Sequence, residues 1–181
     1  MIFRIAGCYD DYCNSIPISH QIKRINENQF RKNFFPGNVK NGSPFLHLDD
    51  LADAFFSAVQ KRDDLPHEVV MILGESKLYS YDFLQKRLGK LILNKEFTTY
   101  SIPKFFAKTI AWIENHLPFY PKPFIQPWMI DIADAHYDID ISLAKKLLDW
   151  SPKRDVNDTL PLMVQALKRD PDQWYKDHRL S

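Results

Sequence analysis

The stretch FLHLDDLADAFFSAV, residues 45–59, places a short apolar run directly before an amphipathic segment. Its start, Phe45 to Leu48, predicts an extended segment. Asp50 is placed to cap the helix that follows, because an aspartate side chain accepts hydrogen bonds from N–H groups of the first turn. Apolar residues then recur at helical spacing and predict one buried helix face: Leu51, Ala54, Phe55, Ala58 and Val59. An extended run that passes at once into a capped helix is typical of an α/β fold.

The segments on either side of this stretch predict two strands of a sheet. Met1 to Ile5 predicts a strand, followed by a loop and by a helix from Pro17 to about Glu27. Val69 to Leu73 is a continuous apolar run ended by a glycine, which predicts a strand buried on both faces. Between the first helix and Phe45, Pro-Gly and Asn-Gly turn signals predict a hairpin-like pair of short extended segments.

Helices dominate the second half of the sequence. Ser80 predicts the cap of one helix, and Pro103 the start of another. Asp140 is expected to cap a short third helix, and a last helix is predicted from Val156 to Leu167, with Pro161 in its first turn. The helix after Pro103 is expected to turn three apolar residues inward: Phe106, Ile110 and Ile113.

Composition limits the class of protein. The 181 residues suit one domain, 45% of them are hydrophobic, and the net charge of +1 gives no electrostatic footprint for nucleic acid or an anionic membrane. No apolar stretch is long enough to span a membrane without interruption by proline or charge. Cys8 and Cys13 are expected to be unpaired thiols, and we predict a cytoplasmic protein.

Four segments carry a resemblance to a known family: RIAGCY (4–9), FLHLDDLADAFFSAV (45–59), ILGE (72–75) followed by SYDFLQKRLG (80–89), and DISLAKKLLDWSP (140–152). In content and order they resemble the carboxy-terminal half of extended short-chain dehydrogenases, the NAD-dependent epimerase/dehydratase family. The resemblance runs from Met1 to about Leu167. It implies an α/β, partial NAD(P)-binding Rossmann-like fold that lacks the amino-terminal dinucleotide-binding strands. Residues 1–181 would form one domain, with late Rossmann elements in 1–74 and a mostly helical substrate-binding part in 75–181.

The motifs for which that family is known are absent from this sequence. Its dinucleotide turn needs closely spaced glycines, and the five glycines here do not approach that spacing. The family's catalytic pair is a tyrosine and a lysine at i and i+4 on one helix. The one literal match, Tyr100 to Lys104, contains Pro103, which places Tyr100 before the next helix. We therefore assign no catalytic residue, and expect NAD or NADP to bind only if the missing half is supplied.

The resemblance still implies residues that face ligands. Ala6 and Gly7 match positions at which the family faces the cofactor. Tyr9 matches an aromatic residue of the family's Val-Tyr-Gly motif and, with Ser43 and His47, is assigned to the substrate side. The alternative interpretation is structural: Ala6 and Gly7 would be small residues where a strand ends, and His47 would belong to the turn at the end of the next strand. No metal site is predicted, because no second group of ligands accompanies His47 and Asp49.

Two departures from the family narrow the expected substrate. Asp10 stands where the Val-Tyr-Gly motif has glycine. Ser43 stands where nucleotide-sugar members have an arginine that grips the diphosphate, so a nucleotide-diphosphate sugar is less favoured than another small molecule. The aromatic stretch 118–128 is expected either to line a pocket for a less charged substrate or to be plain core.

Three functions remain open on the sequence alone. The first is the substrate-binding part of an NAD(P)-dependent oxidoreductase, inactive without a separate amino-terminal half. The second is a non-catalytic partner that docks on a Rossmann-bearing chain through an exposed sheet edge. The third is a decayed fragment that folds poorly.

Overall fold

The fold consists of three short parallel strand pairs enclosed by helices. The structure is a computed structural model that describes residues 1–116 and 127–180. The strands are β1 (Ile2–Ile5), β2 (Gly7–Tyr9), β3 (Phe34–Pro36), β4 (Phe45–His47), β5 (Val70–Leu73) and β6 (Tyr100–Ile102). The helices are α1 (Ile16–Asn26), α2 (Leu48–Gln60), α3 (Tyr81–Leu93), α4 (Lys104–His116), α5 (Pro127–Ala133), α6 (Ser142–Leu148), α7 (Val156–Arg169) and α8 (Pro171–Asp177), with a 3₁₀ turn at Phe30–Asn33.

The amino-terminal chain changes its pairing partner between two adjacent residues. β1 pairs in parallel with β5, and β2 pairs in parallel with β4. The backbone N–H of Ala6 donates to the carbonyl of Leu73 at 2.9 Å, whereas the N–H of Gly7 donates to the carbonyl of Pro44 at 3.2 Å. β3 pairs with β6. The expected hairpin before Phe45 is therefore wrong, because β3 and β4 each pair with a distant strand.

The amino terminus of α2 is capped by His47 rather than by Asp50. The Nδ1 atom of His47 accepts the N–H of Asp49 at 3.1 Å. Asp50 is 1% exposed, and its carboxylate accepts the backbone N–H groups of Lys153 and Arg154 at 2.9 and 2.8 Å. The predicted cap is wrong because the carboxylate binds a distant chain segment whose N–H groups would otherwise lack partners.

Two apolar clusters stabilise the chain. One joins β2 and α1 to α3, α7 and α8 through side chains that include Ile22, Leu88 and Leu160, each fully buried. The other joins β4, β5 and α2 to α6 and includes Leu46, Leu73 and Trp150. α1, which belongs to the predicted 1–74 part, thus packs on helices of the 75–181 part.

Several local predictions are confirmed. Ser80 caps α3 by accepting the N–H of Phe83, and the carboxylate of Asp140 accepts the N–H of Ser142 at the start of α6. Cys8 and Cys13 are free thiols.

Four burial or position predictions are wrong. Val70 is 45% exposed, so β5 is buried on one face only. Pro161 lies in the second turn of α7, because the helix begins at Val156. The third error concerns α2, where Phe55 and Val59 of the predicted inward face are 48% and 61% exposed. The fourth concerns α4, whose residues Phe106, Ile110 and Ile113 are 61%, 50% and 45% exposed.

The inward face of α4 is instead a row of lysines and a small residue. Lys104 pairs with Asp134 at 2.6 Å and Lys108 with Asp131 at 2.7 Å, while Ala111 is buried. These positions share one helix face because they are three or four residues apart. Ion pairs with α5 and the segment after it therefore orient α4, and its apolar residues face outward.

No helix in the described residues is both long and apolar enough to cross a membrane.

Replacing Asp50 tests whether its carboxylate fixes the segment before α7. Asp50→Ala removes a buried carboxylate that accepts two backbone N–H groups, and we expect the free energy of unfolding to fall by about 3 kcal/mol in urea titrations. Asp53→Ala is the matched control, since the pair between Asp53 and Lys153 is exposed and its loss should change stability little. Equal effects of the two variants would contradict this account.

Candidate functional site

The carboxyl ends of two paired strands, β2 and β4, lie side by side at one edge of the fold. β2 ends at Tyr9, β4 at His47 and β5 at Leu73, and β2 and β4 are paired side by side. The N–H of Glu75, just after β5, donates to the carbonyl of Phe45 at 2.8 Å. Open parallel α/β sheets bind ligands outside the carboxyl ends of their strands. This edge is therefore the candidate site.

His47 connects two of these strand ends. Its ring is 2% exposed and lies edge-to-face against the ring of Tyr9, with centroids 5.1 Å apart. Because Nδ1 accepts the N–H of Asp49, the proton of the neutral ring lies on Nε2, which is 3.3 Å from Oδ1 of Asp11. Both ring nitrogens thus have partners within the chain, and the ring fixes the loop after β2 relative to α2.

Tyr9 lies beneath this edge. Its side chain is fully buried, and its ring also packs edge-to-face on Phe45. The hydroxyl group faces the carboxyl group of Glu75, yet it makes no hydrogen bond of normal geometry within the described residues. Burial, followed by the nearby Glu75 carboxyl group, raises the pKa of Tyr9. The structure places the Tyr9 and His47 rings in contact with each other. Their contact with a substrate stays a prediction.

Glu75 is the acidic group that the sequence analysis missed. It is 5% exposed, and its Oε2 accepts the N–H of Val156, the first residue of α7, at 3.1 Å. Oε1 makes no hydrogen bond in the described part of the chain. Burial raises the pKa of Glu75 to about 7, and the negative charges of Asp155 and Asp50 act in the same direction. Glu75 is therefore poised to exchange a proton near neutral pH.

Asp155 continues this buried polar group. Its carboxylate accepts the hydroxyl hydrogen of Tyr79 at 2.8 Å and also caps α7 by accepting the N–H of Asn157. No sequence motif marks this arrangement. The only signal was an acid directly after the glycine that ends β5.

Ala6 and Gly7 lie where β1 passes into β2, and Ser43 comes shortly before β4, so all three lie at the amino ends of β2 and β4 rather than at the edge formed by Tyr9 and His47. Gly7 is exposed, while Ala6 and Ser43 are half-buried. A Cβ atom on Gly7 would lie 3.5 Å from the nearest atom, the carbonyl oxygen of Pro44, which is an ordinary contact. The fold therefore does not require a glycine at position 7.

An aspartate turn replaces the glycine expected after Tyr9. The Oδ1 atom of Asp10 accepts the N–H groups of Tyr12 and Asn14 at 3.0 and 2.9 Å. The left-handed backbone conformation falls on Cys13, with φ of 70°. The side chain of Asp10 thus organises this loop through hydrogen bonds to its backbone.

Tyr100 and Lys104 do not share a helix. Tyr100 begins β6 and is 60% exposed, whereas Lys104 is the first residue of α4 and pairs with Asp134. Of the aromatic stretch 118–128, residues 118–126 lie outside the described residues, and Trp128 is 58% exposed. Over the two described ranges, no three His, Cys, Asp or Glu side chains are grouped as metal ligands.

The raised pKa of Glu75 predicts a pH dependence of stability. Between pH 4.5, its ordinary value, and about 7, the folded chain binds more protons at Glu75 than the unfolded chain. Stability should fall as the pH rises through this window, and the full cost of about 3 kcal/mol is present above it. In urea titrations at about pH 5 and about pH 8, Glu75→Gln should therefore gain stability relative to the wild type at the higher pH. A constant difference at both values would disprove the assignment.

Substitution by alanine should affect stability very differently at two glycines, Gly7 and Gly42. Gly7→Ala fits the available space and should leave the free energy of unfolding within about 0.5 kcal/mol of the wild type. A Cβ on Gly42 would lie 2.2 Å from the backbone oxygen of Tyr79. Gly42→Ala should therefore destabilise the chain by about 3 kcal/mol, as measured by chemical denaturation. A large loss in Gly7→Ala would show that position 7 is structural.

No protein-family model and no curated protein matches this chain. Solved structures do match. UDP-glucose 4-epimerase of Thermotoga maritima, crystallised with UDP-glucose, is 16% identical over 92% of this chain and 45% of its own, with a TM-score of 0.60. UDP-glucuronic acid 4-epimerase of Bacillus cereus, in complex with UDP-glucuronic acid and NAD, is 19% identical over 93% of this chain and 45% of its own, with a TM-score of 0.63.

A third match is dTDP-glucose 4,6-dehydratase of Bacillus anthracis in complex with NAD, 17% identical over 98% of this chain and 46% of its own, with a TM-score of 0.63. The chain thus spans less than half the length of the structures that it matches. At these identities the comparison shows the fold alone. That fold is α/β with small parallel sheets, and it corresponds to part of the Rossmann-like fold of NAD-dependent epimerases and dehydratases.

Proposed function

We propose that this chain is the carboxy-terminal, substrate-binding part of an NAD(P)-dependent epimerase/dehydratase-like oxidoreductase, inactive without a dinucleotide-binding part. The observation that carries the proposal is the pair of parallel strand ends, β2 and β4, in a chain whose fold matches less than half of NAD-bound epimerases and dehydratases. The sequence contains no glycine-rich turn for a pyrophosphate. The division into 1–74 and 75–181 and the cytoplasmic location remain predictions.

The residues of the candidate site divide between two tasks. Ala6 and the open, exposed Gly7 present backbone and little side chain, which suits close approach of a flat nicotinamide ring. When bound, the dinucleotide supplies hydride transfer. Tyr9 and His47 are buried, so they act by holding the loop at Asp10 and the start of α2 around the substrate. Glu75 holds a proton beneath this edge.

The proposed substrate is a small molecule less charged than a nucleotide-diphosphate sugar. The matched epimerases were crystallised with UDP-glucose and UDP-glucuronic acid. Position 43 of this chain carries a serine, which lacks the two parallel N–H donors with which a guanidinium group grips a diphosphate. The nearby guanidinium of Arg154 is already hydrogen-bonded to Asp49 at 3.0 Å.

Calorimetry with NAD and NADP tests whether this chain needs a separate part in order to bind the dinucleotide. We expect no saturable binding by the folded chain alone, with circular dichroism as the check of folding. Joined to the unmatched part of the Bacillus cereus epimerase, the chain should contribute to binding, and Gly7→Leu should weaken NAD affinity in that fusion by about tenfold. Gly7→Ala, a smaller addition, is the graded control.

Three results would count against the proposal or a part of it. Tight binding by the chain alone would mean that it contains its own dinucleotide site. A fusion in which Gly7→Leu has no effect would remove position 7 from the cofactor site. A chain that docks but never supports NAD-dependent turnover would favour the non-catalytic role.

A further inference from the structure

β1 has one edge without a partner in the described part of the chain. Along β1, the N–H groups of Ile2 and Ala6 donate to β5, at 2.8 Å to Val69 and 2.9 Å to Leu73. Successive N–H groups of a strand point to opposite edges. The N–H groups of Phe3 and Ile5 therefore point away from β5, and no other described strand pairs with β1. These donors and the matching carbonyls form a template for a further strand.

One face of the same strand pair is also uncovered. Ile2 is opposite Val70 in the register, and they are 61% and 45% exposed. On the other face, Met71 and Leu73 are 1% and 0% exposed beneath α2 and α6. Parallel sheets are ordinarily covered by helices on both faces. The β1–β5 pair is covered by helices on one face only.

On the opposite, covered face of the sheet, α2 presents an exposed apolar row beside Phe3 of β1. The ring of Phe55 lies edge-to-face against that of Phe3, with centroids 5.2 Å apart. Phe55, Phe56 and Val59 are 48%, 64% and 61% exposed. We define the β1 surface as the outer edge of β1 together with a set of apolar side chains: Ile2, Ile5, Phe55, Phe56, Val59 and Val70. Exposed apolar side chains thus flank the open edge of β1 on both faces of the sheet, and exposed apolar patches of this kind mark interaction sites.

We infer that the β1 surface binds a parallel α/β partner, which adds a strand at Phe3 and Ile5 and places a helix over Ile2 and Val70. This inference rests on the proposed function and identifies where the dinucleotide-binding part docks. The edge requires a strand, and the uncovered face requires a helix. A half-domain of a parallel α/β fold supplies both in one unit.

A second copy of this chain fits the surface less well. Two copies paired edge to edge across a two-fold axis would satisfy the donors of β1. Both copies of α2 would then lie on the same side of the joined sheet, leaving Ile2 and Val70 of each copy in water. The matched structures, of which this chain covers about 45%, contain enough additional chain for the half-domain.

The test follows the amide exchange of β1 by NMR in two proteins. One is the chain alone, and the other is the chain joined through a flexible linker at Met1 to the unmatched part of the Bacillus cereus UDP-glucuronic acid 4-epimerase. The linker holds the two parts at an effective concentration of about 1 mM, which compensates for an imperfect surface match. We expect the Phe3 and Ile5 amides to exchange at least about tenfold more slowly in the fusion, while the Arg4 amide, which faces β5, is protected in both.

Two glutamate variants locate the surface in the fusion. Phe56→Glu places a charge on the β1 surface and should remove the added protection. Phe105→Glu, at a 74% exposed residue of α4, is the matched control and should retain it. Protection that survives Phe56→Glu would overturn the role of α2 in docking.

The outcomes separate docking from the proposed function. Unchanged exchange at Phe3 and Ile5 in the fusion overturns the docking inference, whatever the chain binds. Protection of both amides in the chain alone, with a dimer in analytical ultracentrifugation, assigns the surface to a second copy and also overturns it. Protection in the fusion without any NAD or substrate binding supports docking and contradicts the proposed function.

Discussion

The buried carboxylate of Asp50 is the contact on which the arrangement of the carboxy-terminal helices depends. It accepts two consecutive backbone N–H groups, those of Lys153 and Arg154, while the carbonyl of Asp50 accepts the indole N–H of Trp150 at 2.9 Å. One residue at the start of α2 thus fixes the segment between α6 and α7. A buried carboxylate is costly unless its oxygens are hydrogen-bonded, so this segment has little freedom to shift.

A second buried acid fixes the other end of that segment. Glu75, just after β5, accepts the first N–H of α7. Asp50 and Glu75 therefore set the start of α7 relative to α2 and β5, the elements that border the candidate site. The positive end of the α7 dipole favours the ionised form of Glu75, but burial outweighs it and raises the pKa. Structural support and proton-holding capacity are combined in one side chain.

The β1–β5 pair is covered by helices on one face only, and apolar side chains on and beside it are exposed. A two-stranded sheet has little stability without further packing. Ile2, Phe56 and Val59 are hydrophobic although they are exposed in this chain. The helical spacing of the apolar residues in α2 predicted which of its faces would be buried. Ala54 and Ala58 are buried as predicted, whereas Phe55 and Val59 are largely exposed.

Local signals predicted local structure. The cap at Ser80, the strand at Met1 to Ile5 and the helix after Pro103 depend on neighbouring residues, so the sequence was enough to find them. The hairpin before Phe45 was wrong because turn residues do not specify which strands pair. The inward face of α4 was wrong because its lysines find acidic partners that lie far along the chain.

The sequence by itself determined the class of fold and many of its local elements, while the ligand contacts of Ala6, Gly7, Tyr9 and His47 stay predictions. Only the tertiary structure decided that Tyr9 is buried, that Asp50 binds residues 153 and 154, and that Glu75 is an acid with a raised pKa. The physical reason is that propensity and capping act between neighbours in sequence. Burial and the pairing of polar groups arise from residues about a hundred positions apart that meet only in the folded chain.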